Sequence, residues 1–273
     1  MTMQEGDGDN PVLKFTEKLG RHTIVGIEEV GNGAFLVLES AYWLFFGPRL
    51  KQPVRLGAIV LQMLEVGIKA VPIIGMMAGA IGAMLAIQAI YMLRIFGAES
   101  QVAYGVSISI VREFAPLITG ILIAGRSGSA LAARLGTMKI SQEIDALKVM
   151  GINPVRFLVV PALVAMLIMV PALTLFHMLT GLFCAGLYIN ADLGISLAAF
   201  IEQTIDIISV DDLFHGLTKS ALFAVLITVI GVINGASVTG GAEGVGKVTT
   251  RSVVQAISAI IFTDMLFAFA ATR

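Results

Sequence analysis

The sequence predicts an all-α integral membrane protein, with an N-terminal interfacial helix followed by five membrane-spanning helices. Two observations carry this expectation. Of 273 residues, 57% are hydrophobic and only 14% are charged, with a mean hydropathy of +0.90. Soluble domains are roughly a quarter charged, so a soluble fold of this length could not hide so much apolar surface. The apolar residues also gather in runs of the length needed to cross a bilayer. The net charge of −1 offers no basic surface for nucleic acid. The single cysteine, Cys184, cannot form an intrachain disulfide and reads as a small packing residue.

The elements follow in order. Residues 1–29 are polar, from Gly6-Asp7-Gly8-Asp9 to Glu28-Glu29, and are expected on the cytoplasmic side. They hold no short apolar core ahead of a cleavage site, so insertion is expected to use the internal spans. Residues 33–47 are apolar but short, carry Glu39, and end in Tyr42-Trp43-Leu44-Phe45-Phe46. Aromatic rings with a polar edge favour the headgroup layer, so this segment is expected to lie along the membrane. Pro48-Arg49-Leu50-Lys51-Gln52-Pro53 breaks it, and Arg49, Lys51 and Arg55 suit a cytoplasmic surface. Residues 54–70 form an amphipathic helix with Glu65 and Lys69 at i, i+4. Spans are expected at about 71–93, 105–125, 157–189, 216–236 and 252–271.

The connecting segments set the orientation. Segment 126–156 carries Arg126, Arg134, Lys139, Lys148 and Arg156, whereas 190–215 carries Asp192, Glu202, Asp206, Asp211 and Asp212 and no Lys or Arg. Basic segments stay in the cytoplasm. That places 126–156 and the glycine-rich 237–251 inside, with the N-terminus cytoplasmic and the C-terminus outside. In span one, Gly75, Gly79 and Ala83 recur every fourth residue, as do Gly82 and Ala86. Such rows let helix backbones approach closely. They fit packing within the chain, with subunit contact or a ligand groove as alternatives.

Ionisable groups deep in a bilayer are expensive and mark cavities or pairs. Arg112 and Glu113 fall in span two and Asp264 in span five. At about 1.5 Å per residue, Arg112 and Asp264 both lie roughly 20 Å above the inner boundary and could form an ion pair. Glu113 points about 100° away from Arg112 and is expected to face a cavity.

Enzyme motifs are weak. Gly241-Ala-Glu-Gly-Val-Gly246-Lys247 approaches a phosphate-binding loop, but Val248 stands where Ser or Thr is needed, and no strand precedes it. A flexible cytoplasmic turn explains these glycines better. His22, His177 and His215 share no metal-ligand spacing. Gly125-Arg-Ser-Gly-Ser129 follows no strand and is not a nucleophile elbow. No catalytic residue, metal site or cofactor is expected.

Residues 138–150 form a candidate amphipathic helix between spans two and three. Ser141 can cap it, with Glu143 near its start and Lys148 near its end, as the helix dipole favours. Ile144, Leu147 and Val149 or Met150 give it an apolar stripe. Such a helix could grip a separate motor subunit or rest on its own bundle.

The block Arg112-Glu-Phe-Ala-Pro116, Ala124-Gly-Arg-Ser-Gly-Ser-Ala130, Leu135-Gly-Thr-Met-Lys139, Glu143-Ile-Asp-Ala-Leu147 and Asn153-Pro-Val-Arg156 resembles the MlaE/YrbE permeases, the membrane subunits of MCE-associated ABC transporters. Gln88, Asn234-Gly235 and Thr249-Thr-Arg251 extend the resemblance over roughly 55–270. It implies a homodimer, an interfacial helix before five spans, and ATP hydrolysis by a separate cytoplasmic ATPase dimer. It also implies a periplasmic hexamer of MCE-domain subunits, in some systems a STAS-domain protein, and residence in the bacterial inner membrane. The implied cargo is phospholipid moving between inner and outer membranes. In that setting Gln88, Arg112, Glu113 and Asp264 would supply the polar part of a lipid cavity. Met84, Met92 and Phe96 would supply its apolar wall. Glu143, Asp145, Leu147 and Lys148 would engage the ATPase. Rival readings are a permease for another apolar solute, such as a sterol or fatty acid, and an intramembrane enzyme or passive scaffold.

Overall fold

The structure is a computed structural model that describes residues 11–47 and 54–271. The expectations for residues 1–10 and for the break at 48–53 fall outside these. Every regular element among the described residues is helical. The helices are α1 (Pro11–Phe46), α2 (Leu56–Val66), α3 (Val71–Ile95), α4 (Val102–Ser109), α5 (Ala115–Ile123), α6 (Ser129–Ile140), α7 (Glu143–Val149), α8 (Val160–Leu193), α9 (Leu197–Ile207), α10 (Val210–Ala236) and α11 (Gly241–Ala271). Among the described residues, five helical stretches are long and apolar enough to cross a membrane: Leu56–Ile95, Glu99–Ile140, Val155–Leu193, Val210–Ala236 and Gly241–Ala270. The all-α membrane architecture expected from composition is the one observed.

Small residues decide how the spans meet. Gly82 on α3 lies against Gly181 on α8, where any Cβ at position 82 would collide with the Gly181 carbonyl. Gly79 sits beside the Cys184 sulfur, and Gly75 beside the Phe176 ring. The glycine row of span one therefore packs within the chain against span three. Gly216 on α10 lies against the Val111 carbonyl of the second span, and Gly235 against Ala132. The largest core cluster runs through Ile74, Ile123, Met166, Phe223, Ile227 and Ile260, with every span contributing.

Several local expectations give way. The first span is interrupted at Gly67, where α2 ends and a 3₁₀ turn, Ile68–Ala70, begins. Glu65 and Lys69 therefore do not share one α-helical face. The segment 190–215 is not a plain loop. Gly194 (φ +70°) ends α8, its N–H donating to the Asn190 carbonyl, and Ser196 caps α9 by accepting from the Ala199 N–H at 3.2 Å. Nor is 237–251 a flexible turn. Gly240 and Gly241 take positive φ, and α11 begins there, with an exposed Glu243–Lys247 pair at 2.7 Å in its first turns.

Helix α1 continues through the aromatic segment as far as Phe46. Glu39 is explained by a partner: its Oε1 accepts from Asn153 Nδ2 at 2.9 Å. Arg156 lies over the Trp43 ring at 5.6 Å. These contacts fasten α1 to the start of the third span. There Asn153 Oδ1 accepts from the Val155 N–H at 2.8 Å, while Pro154 fits an opening turn because it needs no donor.

Candidate functional site

Pro116 organises the middle of the second span. Proline has no N–H, so a carbonyl one turn earlier loses its helical partner. The preceding residues, Ile110–Phe114, widen into a π-helical turn, a distortion common at functional sites. This turn presents Arg112 and Glu113, and α10 meets it. Lys219, fully buried, donates from Nζ to the Arg112 carbonyl at 3.2 Å and to Glu113 Oε2 at 2.6 Å. Asp264 of α11 brings Oδ1 within 2.6 Å of the same ammonium, a charge contact that does not lie along a hydrogen-bond direction. One cation thus joins carboxylates from two other spans.

Arg112 has a different partner. Its Nε lies 3.4 Å from Asp212 Oδ1 on the first turn of α10. A capping box holds that turn: Ser209 Oγ accepts from the Asp212 N–H at 3.1 Å while Asp212 Oδ2 accepts from the Ser209 N–H at 3.0 Å. His215, one turn further, stacks edge-on to Phe267 at 5.7 Å. Lys219 is nine residues into α10, so the cluster lies about 14 Å along that helix.

The expected Arg112–Asp264 pair is therefore not formed, and Glu113 is not unpartnered. Counting depth placed the right residues at the right level. It omitted Lys219, a charge inside span four that the same count would have found. It also left Asp212 in a loop, although Ser209-x-x-Asp212 is a readable helix start. Exposure grades the cluster. The Lys219 side chain is 0% exposed and that of Asp264 15%, whereas that of Glu113 is 39% exposed and is the member most open to a ligand.

The remaining cavity candidates gather on α3 and on Phe96, the residue that ends it. Met84, Met92 and Phe96 are exposed, as is Gln88. Gln88 and Met92 line a cleft of about 140 Å³ with Ser109 and Gly105 of the second span.

The segment 138–150 is two helices. Gln142 adopts a left-handed conformation (φ +61°) that separates α6 from α7. Ser141 does not cap α7; its Oγ donates to the Thr137 carbonyl at 3.0 Å and to Glu143 Oε1 at 2.7 Å, closing α6. The apolar stripe is divided: Leu147 is buried, whereas Val149 and Met150 are exposed. Asp145 joins Lys139 at 3.1 Å and Lys148 at 3.3 Å, and these contacts, Lys139 foremost, hold its carboxyl below the usual aspartate range. Glu143 and Lys148 are exposed.

Residues 59–270 match the family described as Permease MlaE. The chain belongs to the MlaE permease family. It is 31% identical over 267 residues to a probable ABC transporter permease protein of Rickettsia typhi, covering 94% of this chain and 99% of the relative. It is 36% identical over 209 residues to a probable ABC transporter permease protein of Synechocystis, covering 76% and 79%. It is 29% identical over 257 residues to the intermembrane phospholipid transport system permease protein MlaE of Haemophilus influenzae, covering 93% and 96%. This MlaE-family chain is a multi-pass membrane permease of ABC type serving lipid transport.

Proposed function

We propose that the chain is the permease subunit of an inner-membrane ABC system that moves phospholipid between inner and outer membranes. It would act as a homodimer driven by a separate ATPase dimer and coupled to an MCE-domain hexamer, with a STAS-domain protein in some assemblies. The observation that carries this reading is the Glu113–Lys219–Asp264 cluster inside an otherwise apolar bundle, taken with the relationship to a phospholipid-transport permease. Its half-exposed carboxylate offers a polar foothold, and α3 carries exposed apolar side chains. A headgroup and its acyl chains need both kinds of surface. Lys219 and Asp264 would position Glu113, and Arg112 would sit above it through Asp212.

The α6–α7 corner supports ATPase engagement. Glu143, Lys148, Val149 and Met150 stand outward, while Leu147 and the Asp145 contacts fix the corner to its own chain. ATP-driven closure can change the permease only through a difference in the ATPase's affinity for two permease states. By the distribution of cations this corner and the N-terminus are cytoplasmic and the C-terminus is periplasmic. The deciding experiment is mass spectrometry of lipids retained by the purified complex, with transfer of labelled phospholipid and of sterol. Glu113→Ala should stay folded and lose most phospholipid transfer. Preferential transfer of sterol or fatty acid would favour the rival cargo, and unchanged phospholipid transfer by the variant would move the headgroup site elsewhere.

A further inference from the structure

A second polar cleft lies further along the bundle, where Arg126 stands thirteen residues, about 20 Å of helix, beyond Glu113. It has a volume of about 320 Å³ and lies between α2, the α5–α6 junction and α8. Lys69, Arg126 and Arg134 line it, and Glu65 is the one carboxylate lining it. None of the three cations forms an ion pair among the described residues. Arg126 Nη1 instead donates to the carbonyls of Glu65 at 3.2 Å and Val66 at 3.5 Å. With its amide oriented by its hydrogen bonds, Gln62 accepts from both terminal nitrogens of Arg134, at 2.8 Å for Nη2. Arg134 Nε is buried and has no acceptor.

Gathering three cations in a cleft with one carboxylate that pairs with none of them costs free energy, and here neutral acceptors hold two guanidinium groups in fixed orientations. Guanidinium groups are matched to phosphate oxygens by their paired donors. The floor beneath them is apolar, made by Val66, Leu131, Ala162 and Met166. Across Gln62 and Arg134 a second cleft adjoins, lined by Met138, Phe157, Leu158 and Pro161 and by Arg55, which lies over the Phe157 ring at 5.6 Å. Fixed cations over an apolar floor, with a greasy cleft next door, suit an amphipathic molecule better than a bare anion.

We propose that this cleft binds a phosphate group, carried by a lipid headgroup of the adjoining leaflet or by a soluble phosphate ester. The proposal stands apart from the transport reading, because it uses none of the residues of the Glu113–Lys219–Asp264 cluster. Lys69 supplies a third, exposed charge at the rim, and Glu65 opposes the anion.

The test uses the full chain in nanodiscs, with binding of phosphatidylglycerol, diacylglycerol and glycerol 3-phosphate measured separately. Phosphatidylglycerol should bind the wild type, and Arg126→Gln with Arg134→Gln should weaken it by about tenfold or more. Because both arginines also hold carbonyl or amide oxygens, two milder variants guard against a folding artefact. Lys69→Gln, whose side chain has no partner to lose, should weaken binding by about two- to threefold. Glu65→Gln should tighten it, an outcome that a purely structural role would not produce. Competition by glycerol 3-phosphate at matched concentration assigns the ligand to the soluble pool, and its failure to compete assigns it to the membrane. Diacylglycerol binding as tightly as phosphatidylglycerol, or affinities unmoved by Lys69→Gln and Glu65→Gln, overturns the proposal.

Discussion

Replacing Lys219 with Met tests the site most directly, because it removes one charge and keeps the shape of the side chain. The ammonium is fully buried and contacts Glu113 Oε2 and Asp264 Oδ1, each at 2.6 Å. Its loss leaves two carboxylates facing an apolar methyl group. Breaking a buried pair by deleting one partner costs about 3–5 kcal/mol. Glu113 is 39% exposed, so water offsets much of its share, while Asp264 at 15% gains little such relief. The lower end of the range, about 3 kcal/mol, is therefore expected. That is several times the roughly 0.6 kcal/mol of an ordinary polar contact between membrane helices. At about 2–4 °C per kcal/mol for a chain of this size, the melting temperature of the detergent-purified variant should fall by roughly 6–12 °C. Adding Asp264→Asn to Lys219→Met removes the worst uncompensated charge and should recover about half of the loss. A Lys219→Met variant that melts within about 2 °C of wild type would refute the reasoning. So would a double variant less stable than Lys219→Met alone.

Other consequences can be checked in the same preparations. A double-mutant cycle between Arg112 and Asp212 should show coupling of about 0.5–1 kcal/mol in thermal melts, whereas Arg112 and Asp264 should behave additively. Gly82→Leu should abolish the folded yield through collision with the Gly181 carbonyl, while Gly105→Ala, with open space around it, should be neutral to within about 0.5 kcal/mol. Glu143→Lys should reduce co-purification of the ATPase without lowering the melting temperature, and a wild-type yield of ATPase would remove α7 as the coupling element. The folded-state carboxyl of Asp145 titrates below its ordinary range, so its contacts with Lys139 and Lys148 contribute fully above the unfolded value of 3.8 and are lost as pH falls through the lower folded value. Asp145→Asn should erase that acid-side dependence in hydrogen exchange of the α6–α7 corner. Cysteines placed at Ser196 should react with impermeant reagent from outside and those at Ser141 only after the membrane is opened; the reverse would invert the topology.

Much of the architecture was legible because a bilayer punishes exceptions. Apolar runs, the cation asymmetry between 126–156 and 190–215, and the glycine row of span one are signals set by solvent, and the runs and the glycine row correspond to helices and close packing in the structure. What escaped was set by local chemistry. The partner of Glu39 depends on two segments more than a hundred residues apart meeting, which no periodicity reports. The left-handed Gln142 divides α6 from α7 although glutamine and the Glu143 after it are good helix formers. The Arg112–Asp264 pairing failed for a simpler reason: depth is one coordinate, and azimuth around the bundle is another. Lys219 shares the depth and has the nearer azimuth.

The two polar sites differ in a way that follows from how each charge is held. In the Glu113–Lys219–Asp264 cluster every charge has an opposite charge, and the strongest contact hides at the centre. Such a group resists entry of a ligand unless the ligand replaces one of its bonds, so the site can respond to cargo only through its exposed edge, Glu113. At the Lys69–Arg126–Arg134 cleft, neutral carbonyl and amide oxygens hold the arginines and leave their charge unspent. An anion arriving there need break no ion pair. The same bundle therefore offers a site that discriminates by what it must give up and another that accepts by what it lacks. A ligand occupying the second should bind with strong salt dependence, because its attraction is electrostatic at a partly exposed surface. A ligand at the first should be much less sensitive to salt. Comparing phosphatidylglycerol retention at low and high ionic strength in Lys69→Gln and Glu113→Ala separates the two. Salt dependence should weaken in the first variant, which keeps Arg126 and Arg134, and persist in full in the second.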